Sequence, residues 1–384
     1  MKRLLAAGFA LLVLAGCSTD LPDAAPPGSS GAPATSEFFD QAEYDRQLAL
    51  RDAKPVGPAD KPWEQALNPE MADTARFAKP GPYEICFANA SVDNPWRQVG
   101  WKTMQVEATL HPEIGKFTVL DAEAKDDKQI SDIQQLTSGG CSALIVSPNT
   151  TATLTPAVEA ACAKGIPVIV FDRGVNTKCP VTFIHPIGGY AFGATAAEFL
   201  AGKVGQGGKV LALRVLPGVD VLEHRWAAGQ RILAAKGVTV AGVEFTGNDG
   251  AKAKSIVSDY LQRGDINGIW MDDGTAAVPV LEAFEDAGKP LPAISGEDQQ
   301  QFLDKWRGEK LTAQAPTYPT YQWRTPVIAA VKVLKGEQVP KEWILPQPVI
   351  TDTTLDSYRG QGMPPLHYAL CGCQQMPGYP GKWK

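Results

Sequence analysis

Asp172 and Arg173 stand side by side at the end of an otherwise apolar run, Pro167-Val168-Ile169-Val170-Phe171. A carboxylate accepts hydrogen bonds and a guanidinium donates as many as five from a rigid fork, so together they suit a ligand whose groups both donate and accept. Neighbouring side chains of an extended chain point to opposite faces, which makes them poor partners for each other. The competing reading is a structural network at a hinge. A second set lies in Ser91-Val92-Asp93-Asn94-Pro95-Trp96-Arg97-Gln98. Asn94 is a good N-cap and Pro95 suits the first helical position, so a helix starts here with its N–H dipoles aimed at the ligand space. Trp96 then falls on the first turn, where its ring can stack on the C–H face of a sugar and its indole N–H can donate; ordinary core packing is the alternative. Glu223-His224-Arg225-Trp226 puts Arg225 at the start of another helix. In Gly268-Ile269-Trp270-Met271-Asp272-Asp273 one of the two acids is free to cap the next helix, and only one need face a ligand.

These groups do not assemble into an enzyme motif. No GxSxG elbow or Walker loop is present, and His111, His185, His224 and His367 show no metal-ligand spacing. No cofactor is implied. Acids and bases are interspersed at a formal net charge of −6, which gives no basic footprint for nucleic acid.

The elements that must position these residues alternate. Strands are expected at YEICFA, KFTVLDA, SALIVSP, PVIVFD and VTFIHP, with helices between, and the alternation restarts with KVLALRVL, VTVAGVEFT, GIWMDD and PAISGED. Short, nearly continuous apolar strands alternating with helices mean parallel sheets covered on both faces. Two successive arrays in about three hundred residues argue for two α/β lobes. Ligands of open α/β sheets sit beyond the carboxyl ends of the strands. The polar strand ends here are Asn89 to Asn94, Ser147 to Asn149, Asp172 and Arg173, Arg214 and its loop, Thr246 to Asp249, Asp272 and Asp273, and Glu297 and Asp298. Two such rims facing each other make a polar cleft.

The chain opens with Lys2 and Arg3, an apolar stretch from Leu4 to Leu14, and Leu14-Ala15-Gly16-Cys17. This pattern is expected of a lipoprotein signal peptide over residues 1–17, with Cys17 lipidated. Residues 18–36, rich in Pro, Ala, Ser and Gly, read as a flexible tether, and 37–80 as an accessory N-terminal arm. The location implied is outside the cytoplasmic membrane, held there by the lipid alone. Six further cysteines, Cys86, Cys141, Cys162, Cys179, Cys371 and Cys373, favour disulfides in an oxidising compartment. Cys162 and Cys179 flank one strand and would close a loop worth about 3 kcal/mol. The pairing stays open. His367 with Cys371 and Cys373 is a conceivable metal set, but disulfide use is preferred and no metal is assigned.

With these residues in place, the chain resembles the ribose-type periplasmic binding proteins, the sugar-binding components of bacterial import systems. The resemblance spans about residues 82–350. It rests on Asn94-Pro95-Trp96, PVIVFDR at 167–173, Arg225 near the start of a helix, the double polar end of GIWMDD, Asp298 closing ISGED, and VLKGE at 333–337. It implies the type I fold: two Rossmann-like lobes joined by a three-segment hinge, 81–185 plus 318–346 and 186–317 plus 347–384, with crossings near His185–Ile187, Pro316–Tyr318 and Leu345–Pro348. It also implies polar ligand contacts at Asn94, Asp172, Arg173, Arg225, Asp272 and Asp298 and an aromatic contact at Trp96. Thr317 stands where ribose binders carry Gln, Arg97 where they carry a second aromatic, and Asn248 near another aromatic position. Asp272 replaces Asn. These departures preserve the architecture and move the ligand away from ribose itself.

The expected protein is therefore a monomeric, lipid-anchored binder of a sugar or polyol, feeding the permease of an ABC importer. Rivals are a sensor for a sugar, nucleoside or furanone signal that presents to a membrane receptor or kinase, and an envelope hydrolase on the same fold.

Overall fold

The computed structural model describes residues 39–360 and 362–384. The signal segment, Cys17 and the tether lie outside the described residues. Among the described residues no helix is long and apolar enough to cross a membrane.

In chain order the elements are α1 (Gln41–Leu50), β1 (Met71–Ala72), β2 (Tyr83–Asn89), α2 (Pro95–Thr109), β3 (Ile114–Asp121), α3 (Asp126–Ser138), β4 (Ala143–Val146), α4 (Thr151–Ala163), β5 (Val168–Phe171) and β6 (Thr182–Pro186). Then follow α5 (Gly189–Val204), β7 (Lys209–Arg214), α6 (Asp220–Ala235), β8 (Thr239–Phe245), α7 (Gly250–Arg263), β9 (Gly268–Met271), α8 (Ala277–Asp286), β10 (Ala293–Ser295), α9 (Gln300–Glu309) and β11 (Ala313–Pro316). The chain ends with α10 (Thr325–Leu334), β12 (Val339–Pro340), β13 (Glu342–Leu345), β14 (Val349–Ile350) and α11 (Leu355–Tyr358).

Two six-stranded sheets result, in the orders β13-β6-β5-β4-β2-β3 and β14-β11-β10-β9-β7-β8. All pairings within them are parallel except that of β14 with β11. The chain passes from the first sheet to the second between Pro186 and Lys209, returns between Pro316 and Glu342, and passes again between Leu345 and Val349. Strands β4, β5, β9 and β10 are buried throughout, as helices on both faces require. Each sheet reverses its strand order beside the strand that opens its array, β2 or β7, so a crevice forms at the carboxyl ends there.

Helix α9 was not expected. Its sequence QQFLDKWRGE buries only Phe302, Leu303, Trp306 and the first Gln300, a short stripe easily lost among the charges. The arm before β2 is ordered. In α1, Asp40 caps the helix by accepting from Glu43 N–H, Arg46 pairs with Glu342 of β13 at 2.9 Å, and Arg51 pairs with Glu198 of α5 at 2.7 Å. Further along, Leu67 N–H donates to Ile344 O at 2.8 Å and Trp343 Nε1 to Gln65 O at 2.8 Å, so the arm covers β13, which would otherwise be an open sheet edge. The six cysteines join as Cys86–Cys141, Cys162–Cys179 and Cys371–Cys373. The ligating atoms of His367, Cys371 and Cys373 lie within 4.8 Å of one another, but the last disulfide engages both sulfurs.

One close approach sets the geometry of the second lobe. Helices α5 and α6 touch at Gly193, where an added Cβ would come within 1.8 Å of the Arg225 carbonyl oxygen. Backbone cannot yield as a flexible side chain does, so Gly193→Ala should force the helices apart and cost about 3 kcal/mol or more. Urea unfolding of the variant against the parent measures it; an unchanged midpoint would show that the contact is soft.

Candidate ligand-binding site

Between the carboxyl ends of the two sheets lies a cavity of about 400 Å³. The first-sheet wall comes from the loops after β2, β4 and β5. Asn94 caps α2 by accepting from Arg97 N–H at 3.0 Å, which turns the first helical residues into the cavity. Arg97 reaches across to Asp172, Nη2 to Oδ2 at 2.9 Å, with both side chains buried, and its Nη1 donates to Ser147 Oγ at 3.4 Å. Burial pulls the Arg97 guanidinium below its usual value, and Asp172 opposes that pull. Asp172 holds a left-handed backbone, φ 70°, a conformation that Asp tolerates better than most residues. Arg173 is less buried and donates to the Asn149 carbonyl.

The second-sheet wall comes from the loops after β7, β8, β9 and β10. Arg225, on the second turn of α6, lies over the Phe192 ring at 3.9 Å and donates to the Asp272 carbonyl, with Glu297 Oε1 at 3.5 Å. Its Nε is buried without a hydrogen-bond partner among the described residues. This wall carries surplus acid. Burial pushes the Glu297 carboxyl up to about 8; Arg225 pulls against that, while Asp273 and Asp298 push with it. Burial raises Asp273 as well, and raises Asp272 well above its ordinary value. At the mouth, Thr151 Oγ1 of α4 donates to Asp220 Oδ2 of α6 at 2.9 Å, so the two walls touch.

Of the residues singled out in the sequence, Asn94, Trp96, Arg97, Asp172, Arg173, Arg225 and Asn248 line the cavity. Asp272, Asp298 and Thr317 do not line it, for physical reasons that differ. Asp272 turns into the lobe, where Oδ1 accepts from Val215 N–H at 2.9 Å, and its neighbour Asp273 lines the cavity instead. Asp298 is likewise buried, accepting from Leu370 N–H at 2.7 Å, and Glu297 lines the cavity in its stead. At each of these strand ends the residue that faces the space is one position earlier or later than the resemblance implied, as a side-chain period of two demands. Thr317 is spent on the Pro348 carbonyl at 2.6 Å. The indole N–H of Trp96 donates to Tyr318 O at 2.7 Å, which leaves its ring for a ligand but not its donor.

Asp93 and Asn149 line the cavity from polar strand ends named in the sequence, and Thr150 lies next to Asn149. Other lining residues were not singled out. Leu216, Pro217, Val219 and Leu222 form an apolar lip after β7, where Leu216 is 48 % exposed. An apolar loop at a strand end was the available signal. Tyr318 and Tyr368 had none, since a crossing segment and a terminal tail carry no periodicity.

A family model described as the periplasmic binding protein domain matches residues 85–338. The ribose import binding protein RbsB of Bacillus subtilis is 26% identical over 274 residues, covering 71% of this chain and 88% of that protein. The xylitol-binding protein of Mycolicibacterium smegmatis is 23% identical, covering 59% of this chain and 66% of that one. Among solved structures, an ABC transporter solute-binding protein of Thermobispora bispora superposes with a TM-score of 0.67 at 23% identity, covering 77% of this chain and 95% of that chain. A Bacillus halodurans solute-binding protein with bound myo-inositol gives 0.66 at 20%, covering 73% and 98%. At these identities the structures speak for the fold. The family model spans well over half of the sequence, and with the two parallel-sheet lobes and the cleft between their strand ends it shows that the chain belongs to the periplasmic binding protein family, of the ribose type.

Proposed function

We propose that the chain is an extracytoplasmic solute-binding protein that captures a sugar or polyol between its lobes and delivers it to an ABC importer, with Cys17 as its lipid anchor. The observation that carries this reading is the composition of the cleft. Arg97 with Asp172 on one wall, and Arg225 with Glu297 on the other, face one 400 Å³ space with the Trp96 ring beside it. A hydroxyl donates and accepts, so carboxyl oxygens and guanidinium donors on opposed walls can grip neighbouring hydroxyls, each bond to a charged group contributing roughly 1.5–3 kcal/mol. Stacking adds to this, and lobe ordering subtracts, leaving room for micromolar binding, about 8 kcal/mol. Relatives named for ribose import and for xylitol binding support the same ligand class. A sugar sensor that presents to a membrane receptor would use the same cleft; a permease gene beside this one supports import, a kinase gene supports sensing.

Calorimetric titration with pentoses, hexoses and polyols tests the ligand class. Arg225→Ala and Arg173→Ala should each weaken the ligand that binds by about tenfold to a hundredfold, the loss of one charge-assisted bond. Unchanged affinity in both would remove the cleft from consideration. Asp172→Ala is a poorer probe, because it strands the buried Arg97 charge and should destabilise the fold by about 3–5 kcal/mol.

The acidic wall makes a prediction about pH. Glu297, ordinarily near 4.5, keeps its proton in the folded protein up to about 8. The folded state then binds a proton that the unfolded chain has released, so ligand-free stability falls as pH rises across that interval. Glu297→Gln, neutral at every pH, should flatten the upper part of the fall in a melting series from about pH 5 to about pH 8.5. Parallel curves for parent and variant would mean that Glu297 titrates normally.

A further inference from the structure

The family model ends at residue 338, yet one residue lining the cavity, Tyr368, comes from chain thirty residues further on. After α11 the tail returns over the carboxyl end of β10. Gln300 N–H donates to His367 O at 2.9 Å, Ala369 N–H donates to Asp298 O at 2.9 Å, and Gln299 bridges Tyr368. Between these anchors the Tyr368 side chain lines the cavity. Its phenol oxygen accepts from Gln299 Nε2 at 2.7 Å and donates to Glu297 Oε2 at 3.3 Å. A phenol has one proton and two lone pairs. Gln299 takes one lone pair and the Thr275 hydroxyl, which also lines the cavity, reaches the same oxygen, while the proton is held by a bond beyond the usual length for O–H donors and is the part a ligand can draw away.

The geometry points to Tyr368 as a specificity-determining residue of the binding site, a neutral hydroxyl supplied by the tail to read one hydroxyl of the bound sugar or polyol. This rests on the ligand class proposed above. The resemblance assigned this strand end to Asp298, but that carboxylate holds Leu370 N–H and is fully buried. The acid fastens the tail, and the tail brings its own polar group to the cavity. The exchange has a chemical consequence. A phenol gives a weaker bond than a carboxylate, but its ring has only two torsions and its oxygen is held by Gln299, Glu297 and Thr275. A ligand lacking a hydroxyl there leaves buried polar groups unpaired, which is how such sites discriminate.

Calorimetry of the purified protein with D-ribose, xylitol, myo-inositol, D-allose and D-arabinose, and with the monodeoxy analogues of those that bind, tests this. Tyr368→Phe should weaken the parent's preferred ligand about fivefold to tenfold, the loss of one neutral hydrogen bond. For one deoxy analogue it should change nothing, so the parent's preference over that analogue disappears. Equal losses for all compounds, or no loss, would overturn the assignment and leave the ligand class standing. Should the Phe variant not fold, Tyr368→Gln, which keeps a donor and an acceptor at shorter reach, is expected to reorder the same series, and an unaltered order overturns the assignment. Binding of none of the compounds by the parent protein overturns the ligand class and this inference with it.

Discussion

The site depends on a charge that cannot be left alone. Arg97 is buried on the first turn of α2, and a buried guanidinium without a partner would cost several kcal/mol. Asp172 meets it from the end of β5, and Ser147 adds a further acceptor from the end of β4. Three strand-end loops of the first sheet are thereby held in one arrangement. The left-handed backbone of Asp172 belongs to the same constraint, because it turns the carboxylate of a strand-end residue back toward α2. Sheet, helix start and loop conformations serve a single ion pair, and the face of that pair is what a ligand meets.

The opposite wall solves the same problem differently. Arg225 is carried on α6, whose distance from α5 is set by the absence of a side chain at Gly193. Its partners are a backbone carbonyl and an acid at 3.5 Å, so its charge is less completely answered than that of Arg97. Around it the acids outnumber the bases, and burial raises the pKa of Asp272, Asp273 and Glu297. One wall is a closed pair and the other an open network. The open network leaves Arg225 Nε without a hydrogen-bond partner among the described residues, whereas the closed pair is answered within its own wall.

The alternation of apolar strands and helices was readable in the sequence because parallel strands buried on both faces leave nearly continuous apolar runs such as Val168–Phe171 and Gly268–Met271. The N-cap at Asn94 was readable because capping is local chemistry. Side-chain direction at a strand end was not. Asp272 and Asp273, or Glu297 and Asp298, are chemically equivalent on paper, and what selects between them is a distant partner: Val215 N–H for one, Leu370 N–H for the other. Tyr318 and Tyr368 escaped notice for the same reason, since their places are fixed by contacts far along the chain. Disulfide pairing was unreadable until β2 was seen beside β4, with Cys86 in β2 and Cys141 just ahead of β4.

Leu370 is bonded at both ends of its own peptide units to different halves of the molecule. Its N–H meets Asp298 at the end of β10, and its carbonyl accepts from Tyr321 N–H, whose ring belongs to the first-sheet core. On another part of the molecule α1 is paired to β13 through Arg46 and to α5 through Arg51. A hinge with such cross-ties has a travel limit: beyond a small rotation, each further degree must break a hydrogen bond or an ion pair rather than merely bend backbone. The dwell time of a captured molecule is then governed by the lifetime of those ties as well as by its own contacts, so residues that never touch the cargo help set how fast it is handed on.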